Sequence, residues 1–188
     1  AAARSGPNSL FGIQTWLALP DAQEDMTPMF EHFGRQALPV IEDSGVTLRL
    51  ILGNAYGETA PAQMFSDTFY ADVALEAGRR LPMPDDHEDR GIYIVEGSIT
   101  VAGQSFDAGQ MMVFRPGDRI TVAAGDRGAR LMILGGATFP GPRYIWWNFV
   151  SSSKDKIEEA KMAWATGAWA KDKFRLPPGD DEEFVPLP

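Results

Sequence analysis

The feature that most constrains the fold of this chain is a series of short apolar runs separated by glycine, proline and aspartate. The clearest runs are Ile92–Val95 and Met111–Phe114, which are rich in residues that favour β-strands. Similar runs recur from Leu38 to Leu134 at spacings of roughly 8 to 12 residues, with no helical pattern between them. The pattern therefore predicts a mainly β fold, an antiparallel β-barrel or sandwich.

Composition limits the class of protein. A chain of 188 residues that is 44% hydrophobic can bury one good core. We expect no membrane partner and no signal peptide, because no apolar run reaches about 18 residues. The absence of cysteine excludes disulfides, Cys-ligated metals and thiol nucleophiles, and the cytoplasm is the expected compartment. A formal charge of −9 argues against direct binding to nucleic acid.

The chain divides into four predicted segments. Residues 1–9 are expected to be a disordered lead-in. Residues 10–37 are expected to be a connecting arm, with a strand over Leu10–Leu19 and then a helix or loop in which Thr27 and Pro28 open a helix. Residues 38–142 are expected to form the β-barrel. Residues 143–188 are expected to contain a helix and a tail rich in proline and acidic residues.

One helix is predicted near the C-terminus. Ser152 or Ser153 can cap its N-terminal end, and Gly167 is expected to stop it. An aromatic cluster is expected to pack this helix onto a sheet, with a ligand-stacking box as the alternative. The cluster consists of Tyr144, Trp146, Trp147, Phe149, Trp164 and Trp169. Phe184 and Val185 are expected to anchor the tail against another surface.

The glycine spacing in the predicted barrel resembles the two motifs of the cupin superfamily. The first motif runs Gly, five residues, His-x-His, three residues, Glu, six residues, Gly, and Gly78 and Gly97 fit its two ends. Gly109 and Gly117 fit the second motif, in which Pro116 lies one place late. The resemblance implies a cupin-type, jelly-roll-like barrel.

The same frame shows which residues stand at the metal-ligand positions of cupins. The positions of the two His, the Glu and the third His are held by Pro84, Asp86, Arg90 and Ile120. Proline, arginine and isoleucine side chains offer no ligand for a first-row metal, and one aspartate is not a site. We therefore expect no metal ligand and no catalytic residue in this chain.

The polar residues beside these positions allow two interpretations. His87 lies between Asp85, Asp86, Glu88 and Asp89, which could collect a hard cation or support an acid–base group. The alternative is an acidic turn at the barrel mouth. Arg90 is expected to form an ion pair with Asp86 that fills the space of a metal, so Asp86, His87 and Arg90 are the candidate polar residues of the pocket.

Two strings outside the glycine frame narrow the resemblance. Gln14–Pro20, which reads Gln-Thr-Trp-Leu-Ala-Leu-Pro, and Trp146–Ser153, which reads Trp-Trp-Asn-Phe-Val-Ser-Ser-Ser, resemble the C-terminal half of bacterial pirin-family proteins. Pirins are bicupins in which two barrels face each other, and one iron is held by three His and one Glu of the N-terminal barrel. The resemblance implies a C-terminal cupin without that half, with no cofactor of its own and with iron in the full-length protein.

The resemblance implies two functions and one kind of partner. The chain would be a non-metallated barrel with a structural, interaction or regulatory role, or part of an iron-dependent dioxygenase that acts on a flavonol such as quercetin. Its partner would be the N-terminal cupin half. Because a barrel built to face another exposes apolar surface when alone, we expect self-association through that face, by exchange of the Leu10–Leu19 strand.

Overall fold

The computed structural model describes residues 11–167, 174, 176, 179 and 184–188. Within this part the chain forms eleven β-strands and one α-helix. They are β1 (Val40–Asp43), β2 (Val46–Ala55), β3 (Glu58–Thr59), β4 (Thr68–Leu75), β5 (Arg80–Pro82), β6 (Asp89–Val101), β7 (Gln104–Asp107), β8 (Met111–Phe114), β9 (Thr121–Gly136), β10 (Tyr144–Trp146), β11 (Phe149–Ser151) and α1 (Lys154–Thr166).

The barrel is built around the two longest strands, β6 and β9. The main sheet is antiparallel throughout, in the order β1-β2-β4-β9-β6-β7, with β3, β5 and β8 added beside β2, β9 and β6. Strands β10 and β11 form a separate antiparallel pair. The second half of β9 pairs with β4 and the start of β6, whereas its first residues pair with β5 and the end of β6. The predicted mainly β, cupin-type antiparallel fold is confirmed.

A glycine lets β6 change direction between these two sets of partners. The register of β6 against β9 shifts on either side of Gly97, whose φ is 76°. A Cβ at this position would lie 2.2 Å from the carbonyl oxygen of Gly128, so only glycine fits. The sequence suggests two separate strands, Gly91–Val95 and Ser98–Val101. In the structure they are the two halves of one bent strand, β6.

The core lies inside the barrel and follows the alternation of the strands. Side chains such as Leu50, Val73, Ile92, Ile94 and Leu131 are completely buried. Arg90 precedes Ile92 and Ile94 on the same inward face of β6, because residues two apart in a strand point to the same side. The fold therefore places an arginine side chain inside the barrel.

The C-terminal appendage agrees with the sequence where it is described. The Ser153 hydroxyl accepts a hydrogen bond from the backbone N–H of Lys156, and Gly167 ends α1 in the left-handed conformation. Trp164 packs edge-on against Trp147 and Phe149, and its indole N–H donates to the carbonyl oxygen of Val185 at 2.8 Å. The predicted helix, its caps and the anchored Val185 are confirmed. Trp169 and most of the tail lie outside the described residues.

The arm before the barrel differs from the prediction. The segment Phe11–Pro20 pairs with no strand of the described residues, and Thr27 and Pro28 open no helix. Two single turns of 3-10 helix, Asp21–Gln23 and Arg35–Ala37, form instead. The predicted strand over Leu10–Leu19 is wrong for its described part, because the alternating side chains face solvent and find no neighbouring strand. Residues 1–9 and Leu10 lie outside the described residues.

No helix in the described part of the chain is long and apolar enough to cross a bilayer.

Candidate functional site

The interior of the barrel is organised around Arg90. Its side chain is only 2% exposed. The guanidinium donates from Nη1 to the carbonyl oxygen of Pro84 at 3.1 Å. Nη2 donates to the carbonyl oxygens of Asp118 at 2.6 Å and Arg115 at 3.4 Å. Arg90 therefore joins the loop before β6 to the loop between β8 and β9.

The predicted ion pair between Arg90 and Asp86 is wrong. The Asp86 carboxylate turns outward and lies 2.9 Å from Nδ1 of His87, while the hydrogen bonds of Arg90 end on backbone carbonyls. Carbonyl dipoles stabilise a buried cation only in part, so the absence of a carboxylate partner among the described residues makes this arginine costly to bury. The Nε atom of Arg90 has no hydrogen-bond partner in the structure, and this unsatisfied donor adds to the cost of burying the side chain.

The four residues at the cupin ligand positions do not converge on a metal. Pro84 and Arg90 are buried, Ile120 packs against the hydrophobic core, and the Asp86 side chain is mostly exposed. No three His, Cys, Asp or Glu residues among those described lie close enough together to hold a metal ion. Because a guanidinium stands where the motif has its Glu, these residues do not fit an iron ion.

His87 is buried at the barrel mouth, between two carboxylates and an aromatic ring. Nδ1 lies 2.9 Å from Asp86 and Nε2 lies 3.4 Å from Asp67, and the imidazole centroid is 4.7 Å from that of Phe69. Asp67 lies in the segment before β4, so nothing in the local sequence around His87 points to it. His87 Nε2 makes no hydrogen bond within the described residues, so its approach to Asp67 is a close contact with the segment before β4 and not a hydrogen bond.

Two further acidic neighbours of His87, Glu88 and Asp89, point elsewhere. Glu88 accepts a hydrogen bond from the backbone N–H of Thr138 at 3.3 Å, and Asp89 accepts one from the Thr138 hydroxyl at 2.9 Å. The carboxylates are thus dispersed rather than gathered around a common point. The described carboxylates do not supply the converging oxygen ligands that a hard cation needs.

An apolar surface covers the outer side of the sheet near β8. Met111 and Val113 project outward, and the Val113 side chain is 74% exposed. A cleft of about 440 Å³ lies beside them, lined also by Trp16, Tyr70 and Leu134. We call the face formed by these five residues the outer face.

A second polar cluster joins the arm to the C-terminal appendage. Glu24, with a side chain 10% exposed, accepts hydrogen bonds from the backbone N–H and hydroxyl of Ser152, at 2.7 and 2.8 Å, and from the Ser151 hydroxyl at 3.2 Å. Burial raises the pKa of Glu24, but these hydrogen bonds and the charge of Arg143 outweigh burial and hold the pKa below its ordinary value. Arg143 in turn donates to the carbonyl oxygen of Leu19.

Comparison with known proteins identifies the barrel. Residues 70–170 match the pirin C-terminal cupin domain. The chain belongs to the pirin family. A pirin-like protein of Caulobacter vibrioides is 41% identical over 94% of this pirin chain and 59% of its own length. Pirin-1 of Arabidopsis thaliana is 26% identical over 88% of the chain and 59% of its own length.

A solved structure agrees with this assignment. The crystal structure of a quercetin 2,3-dioxygenase from Acinetobacter baumannii superimposes with a TM-score of 0.79 at 27% identity. The superposition covers 92% of this pirin chain and 56% of that protein. The chain therefore spans somewhat more than half the length of the relatives it matches, and it resembles the C-terminal half of a pirin.

Proposed function

We propose that this chain is the non-metallated cupin half of a pirin-like protein, with a structural and interaction role rather than a catalytic one. The observation that carries the proposal is the Arg90 guanidinium, which is bound by three backbone carbonyls at the motif position of a metal-binding Glu. A fixed internal cation opposes the binding of a second one, because like charges repel strongly in a medium of low dielectric constant. Iron would then belong to the N-terminal half, and the cysteine-free chain suits a reducing cytoplasm.

The outer face is the surface that we assign to the partner. Its five residues line one cleft, and exposed apolar patches on soluble proteins mark interaction sites. The chain covers 59% of the length of its Caulobacter relative, so a protein of that length has further chain outside the matched part. We propose that the N-terminal half packs on the outer face, and that two copies of this chain associate through it when that half is absent.

Light scattering tests this role. We expect the isolated chain to dimerise as its concentration rises, and Val113→Asp to remain monomeric because the substitution puts a charge in the centre of the contact. Ile145→Asp is the matched control, since Ile145 is also well exposed but lies on β10, away from the outer face. A wild-type chain that stays monomeric at high concentration would contradict self-association through this face.

A second candidate function is supported by the similarity to the Acinetobacter quercetin 2,3-dioxygenase. In this case the protein would be an iron-dependent dioxygenase whose metal lies entirely in the N-terminal half, and the present barrel would support that half. The test is turnover of quercetin with ferrous iron, by a full-length pirin-like protein and by this chain alone. Turnover by the full-length protein only would support this function, whereas turnover by the chain alone would overturn the non-catalytic role.

A further inference from the structure

We propose that Arg49 binds a carboxylate side chain of the partner half at the margin of the outer face. The identity of the partner rests on the proposed function. The class of ligand follows from a cluster of Arg49, Asp72 and Arg130, which we call the arginine cluster. It holds two guanidinium groups and one carboxylate on the outer side of strands β2, β4 and β9.

The carboxylate of the arginine cluster is already engaged by one arginine. Arg130 donates from Nε to Oδ1 of Asp72 at 2.9 Å and from Nη2 to Oδ2 at 3.0 Å. This paired geometry is among the strongest that an arginine and a carboxylate form. The hydrogen bond to Asp72 is the main cause that raises the pKa of Arg130 above its ordinary value; burial opposes it, and the charge of Glu96 adds to it. Both oxygens of Asp72 are therefore bound by Arg130.

Arg49 lies beside this pair but makes no hydrogen bond to it. Arg49 stands opposite Asp72 in the register of β2 and β4, yet its Nη1 lies 4.0 Å from Oδ2 of Asp72, too far for a hydrogen bond. The Arg49 side chain is only 18% exposed, and its buried Nε has no hydrogen-bond partner among the described residues. A guanidinium always carries its charge, and buried polar groups normally have hydrogen-bond partners. Arg49 is therefore the unsatisfied member of the arginine cluster.

The arginine cluster continues the outer face along the same strands. Asp72 follows Tyr70 by two residues on β4, so both side chains lie on one side of the sheet, about 7 Å apart along the strand. Tyr70 is itself paired with Leu134, another residue of the outer face. A surface that packs on the outer face is thus placed to reach Arg49, which stands opposite Asp72.

The charge of Arg49 determines what such a surface must bring. An apolar surface packed over Arg49 would remove water from a cation that has no hydrogen-bonded counter-ion among the described residues, which is strongly unfavourable. An aspartate or glutamate offsets this cost, because a carboxylate matches the planar fork of a guanidinium. Apolar contacts have little directional preference, whereas one such pair fixes the register of two surfaces. Arg49 would thus orient the partner half on a face that is otherwise apolar.

Nuclear magnetic resonance of the arginine side-chain Nε–H groups tests the site, with sodium acetate as the probe for the carboxylate. The chain is kept at a concentration at which light scattering shows a monomer, and sodium chloride at equal ionic strength is the reference titration. We expect acetate to move the Arg49 resonance at least threefold more than that of Arg79, whose side chain is half exposed. Arg49→Met assigns the resonance by its loss. Equal shifts of Arg49 and Arg79, or a shift that chloride reproduces, would overturn the site.

Thermal melting separates a binding role of Arg49 from a structural one. Arg49→Met removes the charge and keeps most of the length of the side chain. Because Arg49 makes no hydrogen bond to Asp72, we expect the melting temperature of this variant to stay the same or rise. Arg130→Met is the matched variant, and it should lower the melting temperature because it leaves Asp72 without its hydrogen-bonded partner. Equal lowering by both variants would make Arg49 a structural partner of Asp72 and overturn the proposal.

A further variant excludes another occupant, the acidic run of this chain at residues 180–183, which lies outside the described residues. Changing its two Asp to Asn and its two Glu to Gln should leave the Arg49 resonance in place. A change in that resonance without acetate would assign the site to the acidic run and overturn the assignment to the partner half. Iron binding by the chain would refute the proposed function and leave the acetate response of Arg49 untouched.

Discussion

Replacement of Arg90 by alanine tests the main structural interpretation of the barrel interior. In the wild-type chain one guanidinium satisfies the carbonyl oxygens of Pro84, Arg115 and Asp118, which belong to two different loops. Alanine removes all three hydrogen bonds and leaves a cavity the size of the arginine side chain. The two loops lose the side chain that joins them across the barrel.

The expected loss can be estimated from these contacts. A hydrogen bond to a charged group contributes about 1.5–3 kcal/mol, but three bonds from one group are not additive. Removing a buried charge that lacks a carboxylate partner is itself favourable, so this gain offsets part of the lost free energy of unfolding. We therefore expect Arg90→Ala to lower the free energy of unfolding by about 3 kcal/mol, which for a chain of this size lowers Tm by about 6–12 °C.

Chemical denaturation with urea and thermal melting measure this change. Arg79→Ala is the control, because the Arg79 side chain is half exposed and its ion pair with Glu76 is long, at 4.0 Å; we expect a change within about 0.5 kcal/mol. Arg90→Lys keeps the charge without the planar fork and should fall between wild type and Arg90→Ala. A melting curve of Arg90→Ala that coincides with the wild-type curve would refute the bridging role of Arg90.

Two other substitutions have defined outcomes. Glu24→Gln should lower the free energy of unfolding by about 1–3 kcal/mol at neutral pH. Because the folded-state pKa of Glu24 lies below its ordinary value of 4.5, this contribution is present above that value and is lost as the pH falls through the folded pKa. A wild-type-to-variant difference in urea stability that stays constant from neutral to acidic pH would contradict it. Gly97→Ala should lower the free energy of unfolding by more than about 3 kcal/mol, because the new Cβ meets the Gly128 carbonyl oxygen at 2.2 Å. Gly103→Ala is the control, since Gly103 has a similar φ but open space around it, and it should cost about 1 kcal/mol. Equal losses of the two variants in urea titrations would show that the clash is relieved.

The sequence predicts the barrel well because its turns and bends have strict chemical requirements. Gly97 stands where the backbone has positive φ and a neighbouring carbonyl leaves no space for a Cβ, so its identity is fixed by geometry. The same reasoning holds for the caps of α1, Ser153 and Gly167, which satisfy local backbone groups. The caps of α1 are predictable because they depend on neighbouring residues, whereas the Gly128 carbonyl that leaves no space at Gly97 belongs to β9.

Features that depend on residues far away in the sequence are not predictable from the sequence pattern. The alternation of Phe11, Ile13 and Leu17 suggests a strand, but a strand also needs a free edge of a sheet beside it, and no sequence pattern supplies that information. The partners of Arg90 are backbone carbonyls, which every residue carries, so no side-chain pattern indicates them and the expected partner, Asp86, is wrong. Asp67, which faces His87, lies 20 residues away in the chain.

The most direct test of the non-metallated barrel is elemental metal analysis of this chain, purified without chelator and then soaked with ferrous iron. We predict iron well below one atom per chain, because the buried Arg90 guanidinium occupies a ligand position and the described carboxylates do not converge. Iron near one atom per chain would contradict the proposal. It would mean that His87 with its acidic neighbours, or a site shared by two chains, binds the metal.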